Sequence, residues 1–220
     1  MINRMDNLQY LSKFRDTQLI KVISGVRRCG KSTLLEMFRD ELLKNGVPEK
    51  NTVYINFEDL EFSQLDSYLK VYDYIISKLQ KDSMNYIFLD EIQLIPEFQK
   101  TVDSLFIKKN CDLYITGSNA YLLSGELSTL LSGRYVEIHL LPLSFSEYKQ
   151  AFPQETNLTH LYRNYIEFSS FPYALQLKND IRLVHDYLSG IYSTIILKDI
   201  VKRKGISEIF SYSFPRKGLA

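Results

Sequence analysis

The sequence predicts an α/β protein, a parallel sheet with helices on both faces, followed by an all-helical segment. Three observations predict it. Short apolar runs rich in Ile, Val, Leu, Tyr and Phe recur at 19–24, 52–57, 86–89, 113–116 and 135–140. Stretches with apolar residues at helical spacing separate most of them. After Leu143 the strand-like runs cease and only helical spacing continues. Strands buried on both faces read as continuous apolar runs, and their alternation with helices is the pattern of βαβ units.

Taken in order, Leu8, Leu11 and Phe14 space a short helix within 1–17. The run 19–24 is the first strand. A helix follows over 33–44, with Leu34, Leu35, Phe38, Leu42 and Leu43 on one face, and Asn45-Gly46 supplies its stop. The second strand, 52–57, ends in Glu58-Asp59. Leu69, Tyr72, Ile76 and Leu79 mark a helix over 65–79. The third strand, 86–89, runs into Asp90-Glu91. A helix over 96–108 opens with Pro96, a residue favoured in a first turn. The fourth strand, 113–116, ends in Gly117-Ser118-Asn119. A Ser- and Leu-rich connection then leads through Gly133-Arg134 to the fifth strand, 135–140. Residues 144–199 read as helices broken at Phe152-Pro153 and Phe171-Pro172.

Composition narrows the function classes. The chain has 220 residues, 45% hydrophobic and 24% charged, ordinary values for a soluble globular protein with a sizeable core. A net charge of +1 gives no bulk electrostatic case for nucleic acid or an anionic membrane as partner. The bases between Lys198 and Lys204 read as a solvated helix end. Two cysteines, Cys29 and Cys111, argue against a disulfide framework, and no apolar run reaches membrane-spanning length. A reducing cytoplasm is the expectation. The three histidines, His139, His160 and His185, have no metal-ligand spacing.

The chemistry concentrates at strand ends. Gly25-Val26-Arg27-Arg28-Cys29-Gly30-Lys31-Ser32 fills every position of the phosphate-binding pattern G-x-x-x-x-G-K-[ST], with a strand before it and a helix after it. The glycines let successive N–H groups turn inward on phosphate oxygens, and the next helix, starting near Thr33, presents its positive end. Lys31 places a cation at the β- and γ-phosphates, and Ser32 offers a hydroxyl to Mg²⁺. Asp90 closes a buried strand and is the candidate second Mg²⁺ ligand, directly or through water; the alternative is a strand that runs into an acidic turn. Glu91 is the base for the water that attacks the γ-phosphate. A predicted strand, 52–57, lies between the loop and this acidic pair, which fits the hydrolytic division of P-loop proteins.

Six further residues carry two readings each. Asn119 or Ser118 orients the water, or forms an ordinary Ser-Asn turn. Arg134 stabilises phosphoryl charge in its own or a neighbouring subunit, or is a surface arginine. Arg27 and Arg28 touch the γ-phosphate or a neighbour, or are solvated. Cys29 reads as a small tolerated side chain rather than a reactive thiol.

These motifs together resemble the prokaryotic AAA-superfamily P-loop ATPases. The resemblance runs in order through 25–35, 56–59, 88–93, 116–120, 131–135, 141–148, 171–172 and 195–201. It implies a sheet of order 5-1-4-3-2 and a C-terminal helical lid, with a core over 1–143 and the lid over 144–206. Members of that family usually continue into a C-terminal nuclease-like domain. Residues 207–220 do not resemble that continuation, so a truncated chain with a foreign, poorly ordered tail is the expectation. The expected function is Mg²⁺-dependent ATP hydrolysis coupled to conformational change. The alternative is a nucleotide-dependent binding switch with little turnover. A second copy or an unidentified protein is the expected partner.

Overall fold

A computed structural model describes residues 2–118, 133–177 and 180–195. Five strands form one sheet: β1 (Ile20–Gly25), β2 (Thr52–Asn56), β3 (Asn85–Asp90), β4 (Cys111–Ser118) and β5 (Tyr135–Leu140). Their spatial order is β2-β3-β4-β1-β5, and all four pairings are parallel. This is the expected 5-1-4-3-2 order read from the other edge. The helices are α1 (Met5–Lys13), α2 (Lys31–Lys44), α3 (Tyr68–Lys78), α4 (Phe98–Phe106), α5 (Phe145–Lys149), α6 (Leu158–Glu167) and α7 (Ile181–Thr194). A 3-10 turn, Pro172–Leu177, joins the last two. Among the described residues no helix is long and apolar enough to cross a membrane.

Strand alternation divides the core in two. Ile20, Val22, Ile55, Ile87, Leu89 and Ile115 face α3 and α4, whose Val71, Ile75, Val102 and Leu105 complete that layer. Ile23, Phe88, Tyr114 and Ile138 face the other way, against Leu8 and Leu11 of α1 and Leu34, Leu35 and Phe38 of α2. Packing, not capping, holds α2 in place. Its N-cap, Gly30, makes no side-chain cap hydrogen bond, while burial of Leu34, Leu35 and Phe38 contributes about 1.5–3 kcal/mol each. No side-chain cap therefore competes for its first-turn N–H groups at the carboxyl end of the sheet.

Several predicted boundaries move, among them the 96–108 helix, which starts at Phe98 with Pro96 ahead of it. The fourth strand extends from the expected 113–116 to Cys111–Ser118, because β3 pairs with it from Cys111 and β1 as far as Ser118. The 65–79 helix is shorter, starting at Tyr68 after Ser67 in an extended conformation. At the amino end of the sheet, Lys21 and Asp112 form a fully buried ion pair. Tyr114 Oη donates to Asp112 at 2.9 Å, the Asp16 N–H donates to it at 2.9 Å, and Lys21 Nζ donates to the Thr17 carbonyl at 3.1 Å. A buried pair with its remaining valences so filled avoids much of the desolvation cost.

Candidate functional site

Parallel strands bring their carboxyl ends to one side, where ligand sites of open α/β sheets lie. Gly25 ends β1 there, in register with Ser118 on one side and Leu140 on the other. A Cβ on Gly25 would stand 2.3 Å from the Leu140 carbonyl oxygen and 2.9 Å from Cys29 Sγ, so the position admits only glycine. Gly30, with φ +102°, turns the chain into α2. Arg28 and Glu91 both adopt left-handed backbone, with φ of 63° and 55°. For non-glycine residues that conformation is uncommon and clusters at functional sites.

Lys31 is buried. Its Nζ donates to the carbonyls of Gly25 and Val26 at 3.3 and 3.4 Å and pairs with Glu91 Oε1 at 3.4 Å. Asp90 is fully buried at the end of β3. Thr116 Oγ1, on the neighbouring β4, donates to Asp90 and accepts the Glu91 N–H at 2.9 Å. Tyr54 Oη reaches Asp90 Oδ2 at 3.4 Å from β2. Burial pushes the Asp90 carboxyl above its ordinary range, opposed by hydrogen bonds from Thr116 and Ser32. Gln93 Nε2 donates to the second oxygen of Glu91. Ser32 and Asp90 are hard oxygen donors of the kind that could hold Mg²⁺.

Between this floor and the helices after β5 lies a cleft of about 630 Å³, lined by Arg27, Lys31, Ser32, Glu58, Tyr173 and Tyr187 among others. The Arg28 guanidinium lies over the Tyr187 ring of α7 at 5.9 Å, and Arg27 Nη1 stands 4.0 Å from Glu58 Oε1. Thr33, in the first turn of α2, is exposed to the same cleft. A second cavity of about 580 Å³ adjoins it across Gly30, Thr33 and Pro172, lined also by Met37, Leu143 and Leu175. Cys29 is fully buried, and burial pushes its thiol pKa up.

Not every predicted residue is brought here. Arg134 precedes β5, and its carbonyl accepts the Ile20 N–H at 2.8 Å. It therefore sits at the amino end of the sheet, opposite the loop. Its guanidinium pairs with Asp103 at 2.8 Å and lies over the Phe106 ring at 5.6 Å. The own-subunit reading of Arg134 fails on that geometry. Asn119 lies outside the described residues, as do 196–220, which hold the end of the expected lid and the expected tail. Three residues escaped sequence reasoning: Thr116, Tyr54 and Arg4. Arg4 Nη2 donates to the Cys29 carbonyl at 2.7 Å from before α1. A threonine interrupting a buried apolar strand was a usable signal for the first; the other two had none.

Five parallel strands in this order, with the octet between β1 and α2, define the P-loop class of α/β fold. The AAA domain family model matches residues 17–149, and the chain belongs to that family. An uncharacterized protein of Haemophilus influenzae is 43% identical over 212 residues, covering 94% of this chain and 52% of the relative. One of Methanocaldococcus jannaschii is 30% identical, covering 93% and 49%. The chain thus spans about half the length of these curated relatives. Among solved structures, the Walker-type ATPase of Pyrococcus abyssi superposes with a TM-score of 0.60 at 16% identity, over 94% of this chain and 77% of that one. Cdc6p of Pyrobaculum aerophilum gives 0.51 at 16% identity, over 94% and 68%. At these identities the likeness concerns the fold.

Proposed function

We propose that the cleft binds ATP with Mg²⁺ and hydrolyses it, and that the change of bound nucleotide moves α5–α7 as a lid over the sheet. The observation that carries this reading is the Lys31–Glu91 pair at 3.4 Å, which joins the loop to the acidic strand end. Triphosphate entering the loop competes for the Lys31 ammonium and frees the Glu91 carboxylate. Glu91 then accepts a proton as a water oxygen bonds to the γ-phosphorus and the bond to the ADP oxygen breaks. Ser32 and Asp90 hold Mg²⁺, which when bound offsets phosphate charge. The adjoining cavity, apolar at Met37, Leu143, Pro172 and Leu175, with Gln150 and Gln176 at hand, suits a nucleobase.

Glu91→Gln tests the mechanism. Nucleotide affinity stays near wild type while steady-state phosphate release falls by about 10²-fold or more. Unchanged release removes Glu91 from the role of base. A second reading, a nucleotide-dependent binding switch, is favoured by one observation: Arg134 stands at the far end of the sheet from its own loop. On that reading Arg134 completes the cleft of a second copy, and an isolated chain turns over slowly. Specific activity that rises with protein concentration separates this from a self-sufficient site.

A further inference from the structure

Arg4 is 5% exposed, although it lies before the first helix. An arginine stays charged, so its burial requires partners for the guanidinium. It has three. Nη2 donates to the Cys29 carbonyl at 2.7 Å, Nη1 donates to the Leu141 carbonyl at 2.9 Å, and Nη1 stands 3.7 Å from Glu147 Oε2. Those partners belong to the phosphate loop, the exit of β5 and α5. The neighbouring residue is tied to α5 as well. The Asn3 N–H donates to Gln150 Oε1 at 3.0 Å, and Gln150 Nε2 returns a bond to the Asn3 carbonyl at 3.1 Å. Glu147 is itself fixed by a capping box with Ser144.

The Cys29 bond has a directional consequence. In a trans peptide the C=O and the following N–H point to opposite sides of a planar unit. With the Cys29 oxygen turned to Arg4, the Gly30 N–H points away from Arg4. Among the described residues nothing accepts a hydrogen bond from that N–H. Gly30, at φ +102°, has the backbone freedom to let this peptide turn over, so its orientation needs an external hold.

We propose that Arg4 is a positioning residue for the phosphate loop. It holds the Cys29–Gly30 peptide with its N–H toward the anion side of the cleft. Through Glu147 it ties that orientation to the position of α5, so the lid's placement and the loop's readiness for phosphate are linked. The proposal rests on the reading of the cleft as a nucleotide site.

The test compares wild type, Arg4→Ala, Arg4→Lys and Lys31→Ala. Without nucleotide, hydrogen exchange of segments 26–33 and 144–150 rises in both Arg4 variants, while 86–90 keeps its wild-type protection. With a fluorescent ATP analogue and Mg²⁺, both Arg4 variants bind about 10-fold or more weakly. Millimolar methylguanidinium restores part of that affinity in Arg4→Ala and none in Lys31→Ala. Arg4→Lys keeps the charge but not the fork, so it answers the question if the alanine variant does not fold. Unchanged exchange in 26–33, a uniform rise across the chain, or affinity within twofold of wild type overturns the proposal. If the wild type binds no nucleotide, the reading of the cleft falls, and the nucleotide-free exchange comparison still decides whether Arg4 holds the loop.

Discussion

Thr116 does two jobs with one hydroxyl, donating to Asp90 and accepting the Glu91 N–H. Thr116→Val keeps the shape and removes both bonds. We expect it to cost about 1–3 kcal/mol in denaturant unfolding, because a buried N–H and a buried carboxylate each lose a partner. Phosphate release should fall further than nucleotide affinity does. Wild-type stability in the variant would show that water fills both roles. At this scale legibility followed chain continuity. The octet 25–32 and the pair Asp90-Glu91 are contiguous patterns with a fixed chemistry, so they could be read directly. Thr116, Tyr54 and Arg4 act on residues 25–36 positions away, and only strand pairing and the path of the amino terminus bring them near. Arg134 was legible from its neighbours: it directly precedes the fifth strand, and in a parallel sheet that position lies at the amino end, opposite the loop that follows β1.

Among the elements, β4 explains both a strength and a vulnerability of the fold. Tyr114 is fully buried on it, stacked on Phe88 with ring centroids 5.0 Å apart and donating to Asp112. Burial, reinforced by the Asp112 charge, raises its pKa far above the ordinary 10.0. Folded and unfolded chains both keep the phenol protonated below about pH 10, so the stability it contributes is fully present there. Above that value the unfolded chain ionises and the folded one does not, and stability falls by up to about 1.4 kcal/mol per pH unit for this group. Tyr54, Tyr86, Tyr148 and Tyr187 are shifted the same way. Tyr114→Phe should therefore melt lower than wild type at pH 8, where Asp112 loses one of its three donors, and should lose less between pH 8 and pH 10.5. Parallel melting curves across that range would contradict the assignment. Element types were legible because apolar runs and helical spacing are local. Ends were less so, because β4 is lengthened by pairing with β3 at one end and β1 at the other, which no local pattern records.

For the molecule as a whole, the strand order follows from the resemblance and agrees with the observed sheet. The cleft's second wall followed only in part: Pro172 lies in a stretch that carries the resemblance, while Tyr173, Gln176 and Tyr187 have no motif of their own. The relatives are about twice as long as this chain, and what their remaining half does is a separate question from what the cleft binds. The proposed function concerns the cleft alone, where a triphosphate would be held between the octet and α5–α7 with Lys31 as its cation. The most direct measurement is an equilibrium titration of Mg·ATP into wild type and Lys31→Ala, with melting temperatures recorded for both. Wild type is expected to bind saturably at one site, and Lys31→Ala at least about 100-fold more weakly while still melting as a folded protein. No binding by wild type, or equal binding by Lys31→Ala, would contradict the proposed function.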